Sequence, residues 1–140
     1  MRYWDASALV PLCVAEAGTA TARRLARDGI VTWGVSAVEI ASAIERRARE
    51  GDLTDDQRTA ARAALNEMAA AWTEISALGP VRERAMRLVA THTLRAADAM
   101  QLGAALVAVS DWPTGHEFVC ADARLRGAAG REGFRVLTGD

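Results

Sequence analysis

Fourteen residues from Ala96 to Val109 carry only two polar side chains, Asp98 and Gln101. A helix over this stretch has apolar residues almost all round, and such a helix belongs in the centre of a domain. It falls short of the roughly 20 uncharged apolar residues that a bilayer span requires, as does every other stretch of the chain. The other elements must therefore wrap around it, and the sequence supplies them in alternation. Arg2–Asp5, Ile30–Trp33, Glu117–Ala121 and Phe134–Leu137 read as short strands, with Thr73–Ile75 a brief fifth. Between them lie helical segments over Ser7–Glu16 and Thr19–Asp28, broken near Gly18 and stopped by Gly29. Pro11 should bend the first of these unless it falls in the opening turn.

Two further helices carry capping-box signatures. Ser36-Ala37-Val38-Glu39 opens a helix running to Gly51, and Thr54-Asp55-Asp56-Gln57 opens another reaching about Trp72. Joined by a few residues, they should form an antiparallel hairpin. Pro80 stands at the start of an amphipathic helix over Val81–Ala90, and Ala123–Glu132 is the last helix. Strands linked by helices predict an α/β domain with a short parallel sheet of four to five strands, covered by helices on both faces. A chain of 140 residues holds one such domain, spanning 1–140. The N-terminus meets an acid at Asp5, which argues against a signal peptide. Cys13 and Cys120 sit in apolar runs without metal spacing and read as reduced core thiols, consistent with the cytoplasm.

In a parallel α/β sheet, ligands bind beyond the carboxyl ends of the strands. Asp5 ends the first strand, with Ser7 just after it, and Asp122 follows the strand Glu117–Ala121. Glu39 falls in the first turn of the helix after the second strand, and Asp98 early in the central helix. Each has a structural explanation: Asp5 and Asp122 as N-caps, Glu39 as half of its capping box, and Asp98 as the ion-pair partner of Arg95. Together they suggest more, because carboxylates gathered at one end of a sheet repel one another and require a cation to coexist. Oxygen donors alone select a hard ion, Mg²⁺ or Mn²⁺, and such a site suits phosphodiester hydrolysis.

Charge leaves room for that chemistry. Net charge is −1, yet with the four acids set aside seventeen positive charges face fourteen negative ones, a balance compatible with an RNA backbone. Every positive side chain is arginine, and the absence of lysine excludes a Walker A loop and Schiff-base catalysis. Arg46, Arg47 and Arg49 suit the C-terminal dipole of their helix and can also meet phosphate. His92 and His116 lack zinc-protease spacing and read as solvated or capping residues. Trp112 reads as a loop anchor.

Four segments in order carry a family resemblance: Asp5-Ala6-Ser7-Ala8-Leu9; Ser36-Ala37-Val38-Glu39-Ile40; Arg95-Ala96-Ala97-Asp98-Ala99-Met100-Gln101-Leu102-Gly103-Ala104-Ala105; and Asp122-Ala123-Arg124-Leu125 with Gly133-Phe134-Arg135-Val136. Over essentially the whole chain this resembles a PIN-domain ribonuclease, specifically the VapC-type toxin of a bacterial VapBC toxin–antitoxin pair. The resemblance implies a PIN-like fold and a Mg²⁺- or Mn²⁺-dependent endoribonuclease with Asp5, Glu39, Asp98 and Asp122 as its acidic site. Asp5, Asp98 and Asp122 would be metal ligands, Ser7 would orient Asp5 or a bound water, and Arg95 would support the site. It also implies an RNA substrate, a VapB-type antitoxin, and a homodimer that forms a heterotetramer or larger complex with that antitoxin. The apolar run Leu9–Val14 and the helical hairpin from Glu39 to Trp72 would wall a groove for the antitoxin, or else are simply core. In one departure, Cys120 stands two residues before the last Asp, where the family often has Ser or Thr. Rival readings are a receiver-like phosphoacceptor domain, which normally needs a lysine, a PIN-like module that binds without cleaving, and a metal-dependent DNA nuclease.

Overall fold

A computed structural model of the chain describes residues 1–16 and 18–139, and every structural statement below concerns these residues. Five short strands, β1 (Arg2–Trp4), β2 (Val31–Trp33), β3 (Thr73–Ile75), β4 (Glu117–Val119) and β5 (Arg135–Leu137), form one parallel sheet in the order β3-β2-β1-β4-β5. Parallel neighbours need long crossovers. Helices α1 (Ala6–Cys13), α2 (Thr19–Ala26), α3 (Ser36–Arg49), α4 (Asp55–Ala71), α5 (Leu78–Thr91), α6 (Ala96–Ala108) and α7 (Ala123–Glu132) supply them. The chain lays β2 and β3 on one side of β1 and then returns to lay β4 and β5 on the other. The reversal opens a crevice at the carboxyl ends of β1 and β4, where ligands of such sheets bind.

Alternation along the strands divides the core into two layers. Tyr3 and Phe118 face α5, α6 and α7 and stack with centroids 5.3 Å apart; Trp4 and Val119 face α1, α3 and α4. Leu102, Leu106, Val81, Leu88 and Leu125 fill the first layer, and Leu9, Ile40, Ile44 and Leu65 the second. The apolar segment beginning at Ala96 is the central helix α6, and α5 packs tightly on it. A Cβ at Gly103 would lie 2.8 Å from the Val81 carbonyl oxygen, so only glycine admits this approach.

Both halves of the Thr54 capping box form: the Gln57 backbone N–H donates to Thr54 Oγ1 at 3.1 Å, and the Thr54 N–H to Gln57 Oε1 at 2.8 Å. Pro11 lies beyond the opening turn of α1, which ends two residues later. Both cysteines are free. Two expectations change. His92 sits at the C-cap of α5, but it is buried rather than solvated, with Nε2 2.7 Å from Glu132 Oε2, which ties the α5–α6 corner to α7. Trp112 anchors nothing in the core; it is 69% exposed.

Candidate active site

Asp5 leaves β1 with its backbone N–H bonded to the Val119 carbonyl at 2.9 Å, which sets it against the end of β4. Its Oδ2 caps α1 by accepting from the Ser7 N–H at 3.1 Å. The Ser7 hydroxyl accepts from the Ala121 N–H at 3.0 Å, so its own hydrogen goes to Asp5 Oδ2, closing the crevice between the two strand ends. Cys120 stands between the acids: its Sγ is 3.6 Å from Asp5 Oδ2 and accepts from the Asp122 N–H at 3.3 Å. Burial, reinforced by Asp5, pushes this thiol well above its usual range and keeps it neutral. Asp122 Oδ1 in turn caps α7 by accepting from the Leu125 N–H at 2.9 Å. Capping uses one named oxygen of each acid, so an N-cap role and a place in the site coexist.

The capping box expected at Ser36 and Glu39 does not form. Helix α3 starts one residue early, with Val35 at the N-cap position and no side-chain cap. Ser36 is buried and its Oγ lies 2.7 Å from Thr32 Oγ1 and 2.9 Å from Gln101 Nε2. Glu39 turns instead toward the sheet end, where it accepts from Gln101 Nε2 at 3.3 Å. Burial first, and then the charges of Asp5 and Asp98, push its carboxyl up to about 7, against the Gln101 hydrogen bond. Asp98 sits half-buried in the first turn of α6. The alternative that made Asp98 the ion-pair partner of Arg95 does not hold: the two form no salt bridge, and Arg95 acts on Asp98 only from a distance. Burial, Asp5 and Asp122 raise the Asp98 carboxyl, while burial raises Asp5 against the hydrogen bonds from Ser7 and Cys120.

All four acids line one cavity of about 300 Å³, together with Ser7, Arg46 and Arg47. A second cavity of about 310 Å³, lined by Arg95, Ala123 and Arg124, adjoins it through Asp98 and Asp122. Among the described residues no three His, Cys, Asp or Glu side chains are gathered closely enough to hold an ion as they stand. The donor chemistry nevertheless fits a hard divalent cation. These are carboxylate oxygens alone, and the mutual upward push on Glu39 and Asp98 is the repulsion that a cation would relieve. Sequence reasoning missed Gln101, marked only as a polar exception in an apolar helix, and that exception was the one available signal.

The Glu39 environment has a measurable consequence. Its folded-state value of about 7 lies above the ordinary 4.5, so the native state binds this proton more tightly than the unfolded chain does. Stability from this group is present at acid pH and is lost as pH rises toward 7. In chelator, Glu39→Gln should raise the melting temperature relative to wild type at pH 7.5 and leave it nearly unchanged at pH 5. An equal difference at both pH values would mean that Glu39 titrates as a solvated carboxylate.

Known proteins resemble this arrangement at the level of the whole chain. No protein-family model matches it. Among solved structures, PAE2754 from Pyrobaculum aerophilum shares the fold with a TM-score of 0.69 at 20% identity, covering 96% of this chain and 87% of that one. Two curated proteins of Mycobacterium tuberculosis, Ribonuclease VapC45 (strain CDC 1551 / Oshkosh) and Ribonuclease VapC49 (strain ATCC 25618 / H37Rv), are each 33% identical over 136 residues. Each alignment spans 96% of this chain and 92% of the relative. One residue in three is thus retained along a chain whose PIN-like α/β sheet sets the acids at its switch point, and the protein belongs to the VapC ribonuclease family.

Proposed function

We propose that the protein is a divalent-metal-dependent endoribonuclease that acts as the toxin of a VapBC-type toxin–antitoxin pair in the cytoplasm. The observation that carries this reading is the convergence of Asp5, Glu39, Asp98 and Asp122 on one cavity at the carboxyl end of the sheet. Asp5, Asp98 and Asp122 would hold Mg²⁺ or Mn²⁺, with Glu39 completing the acidic set. When bound, such an ion activates water and neutralises charge on the phosphoryl oxygens. Ser7 fixes Asp5 in place through its hydroxyl. At the rim, Arg46, Arg95 and Arg124 are exposed and make no ion pair among the described residues, whereas nearby Arg47 is paired with Glu16 at 2.5 Å. Free guanidinium groups on both sides of an acidic centre suit a phosphate backbone laid across it. The names of the relatives, both ribonucleases, support RNA as the substrate. No helix among the described residues is long and apolar enough to cross a membrane.

The antitoxin would occupy the cavity of about 630 Å³ between the end of α1 and the α3–α4 hairpin, lined by Cys13, Val14, Leu53 and Ala61. Of the apolar run, Leu9 and Val10 belong to the core and Pro11 to Val14 are half-buried, with Cys13 and Val14 at this wall. The toxin would be a homodimer that forms a heterotetramer or larger complex with its antitoxin. Light scattering tests the dimer, and rescue of growth by co-expression of the neighbouring small open reading frame tests the toxin reading.

The decisive assay is cleavage of matched RNA and DNA oligonucleotides with Mg²⁺, with Mn²⁺ and with EDTA. The reading expects RNA cleavage that stops in EDTA and returns with either ion. Cleavage surviving complete chelation would overturn metal dependence, and equal cleavage of DNA would make the protein a general nuclease.

A further inference from the structure

Gln101 lies on the central helix α6, fully buried at 0% exposure in a segment whose one other polar side chain is Asp98. A primary amide there costs free energy unless each of its groups finds a partner. Its Oε1 accepts from the Tyr3 hydroxyl at 2.7 Å. Its Nε2 donates to Ser36 Oγ at 2.9 Å and to Glu39 Oε1 at 3.3 Å. The relay continues with a fixed direction. Thr32 Oγ1 donates to the Trp4 carbonyl at 2.7 Å, so it accepts from Ser36 Oγ, also at 2.7 Å. Tyr3, Thr32 and Ser36 are each 0% exposed.

This directionality fixes which way the amide faces. Rotated by half a turn, Gln101 would present its carbonyl to the Glu39 carboxylate and to a Ser36 oxygen whose own hydrogen already goes to Thr32, acceptor against acceptor at both. The network therefore presents a donor to Glu39. It also joins the elements that carry three of the acids: Trp4 precedes Asp5 on β1, Ser36 lies one turn before Glu39 on α3, and Gln101 lies one turn after Asp98 on α6.

We propose that Gln101 is the positioning residue of the site: its buried amide, held by Tyr3 and Ser36, fixes the Glu39 carboxylate relative to Asp5 and Asp98. The inference rests on the nuclease reading for its effect on cleavage, and on the hydrogen-bond geometry alone for its coupling to Glu39. Buried polar networks of this kind specify one arrangement because every member is satisfied.

The test is a double-mutant cycle between Gln101→Met, which keeps the length and removes the amide, and Glu39→Gln, read by RNA cleavage and by unfolding in urea. Gln101→Met should lower kcat by about 10- to 100-fold, the range found for outer partners of site ligands, with KM for RNA near the wild-type value. In the Glu39→Gln background the same change should cost little further in kcat, because the group it positions is already altered. The urea cycle should show non-additive stabilities for the same pair. Additive effects in both readouts would overturn the proposal and leave Gln101 as packing. If wild type fails to cleave RNA while the urea cycle still shows coupling, the nuclease reading falls and the Gln101–Glu39 contact stands. Should Gln101→Met fail to fold, Tyr3→Phe removes the hydroxyl that holds the amide's carbonyl end. Its smaller loss of kcat must also vanish in the Glu39→Gln background.

Discussion

Asp98→Asn should yield a folded protein whose RNA cleavage is reduced at least ~10³-fold, on the scale of losing one member of a cooperating catalytic set. The amide is nearly isosteric with the carboxylate, so the first turn of α6 keeps its shape. Lost is the negative charge that, with Asp5 and Asp122, would hold the cation. Asp5 and Asp122 both push the Asp98 carboxyl upward, so removing its charge relieves repulsion, and the metal-free variant should melt slightly above wild type. Circular dichroism with a fluorogenic RNA assay separates the two effects. A folded variant cleaving at the wild-type rate would reduce Asp98 to an acid that complements the α6 dipole.

Millimolar Mg²⁺ or Mn²⁺ should raise the melting temperature of the wild-type protein by about 10 °C. An ion present at a hundred times its dissociation constant adds about 2.7 kcal/mol when it binds only the native state. For a chain of 140 residues each kcal/mol corresponds to a few degrees. The shift should shrink as pH falls from 7.5 to 5, because Glu39, raised to about 7, takes up its proton across that window, and the upward shifts of Asp5 and Asp98 act in the same direction. It should also be abolished in Asp98→Asn. Silence with both ions at pH 7.5 would overturn the metal site.

Local grammar worked where nothing distant competed with it. The Thr54 capping box forms because its side chains are exposed and have only each other and the backbone to bond. The identical grammar at Ser36 fails because two other partners claim the hydroxyl: Thr32 of β2, four residues back, and Gln101 from 65 residues away. Glu39 is thereby released toward the sheet end, where its chemistry is wanted. Asp5, Asp98 and Asp122 were legible because strand ends and an apolar helix show in sequence, and parallel topology dictates where strand ends meet. Arg95 shows the limit of spacing rules, since three residues of separation from Asp98 did not produce an ion pair. The burial of His92 was equally invisible, because its partner Glu132 lies 40 residues on. Pairings made by tertiary packing have no signature in a local window.

The position of β1 at the middle of the sheet bears on when during its synthesis the protein becomes complete. Residues 2–4 pair with residues 117–119, and the Ser7 hydroxyl meets the backbone of Ala121. A growing chain thus carries Asp5, Glu39 and Asp98 long before it has the strand against which Asp5 is set, and Asp122 arrives only after β4. Premature termination between Asp98 and β4 yields a polypeptide bearing three of the four acids with one wall of the crevice missing. Contacts this distant in sequence are also slow to form. The acidic centre therefore assembles only after the chain has been made beyond Asp122 and β1 has closed onto β4.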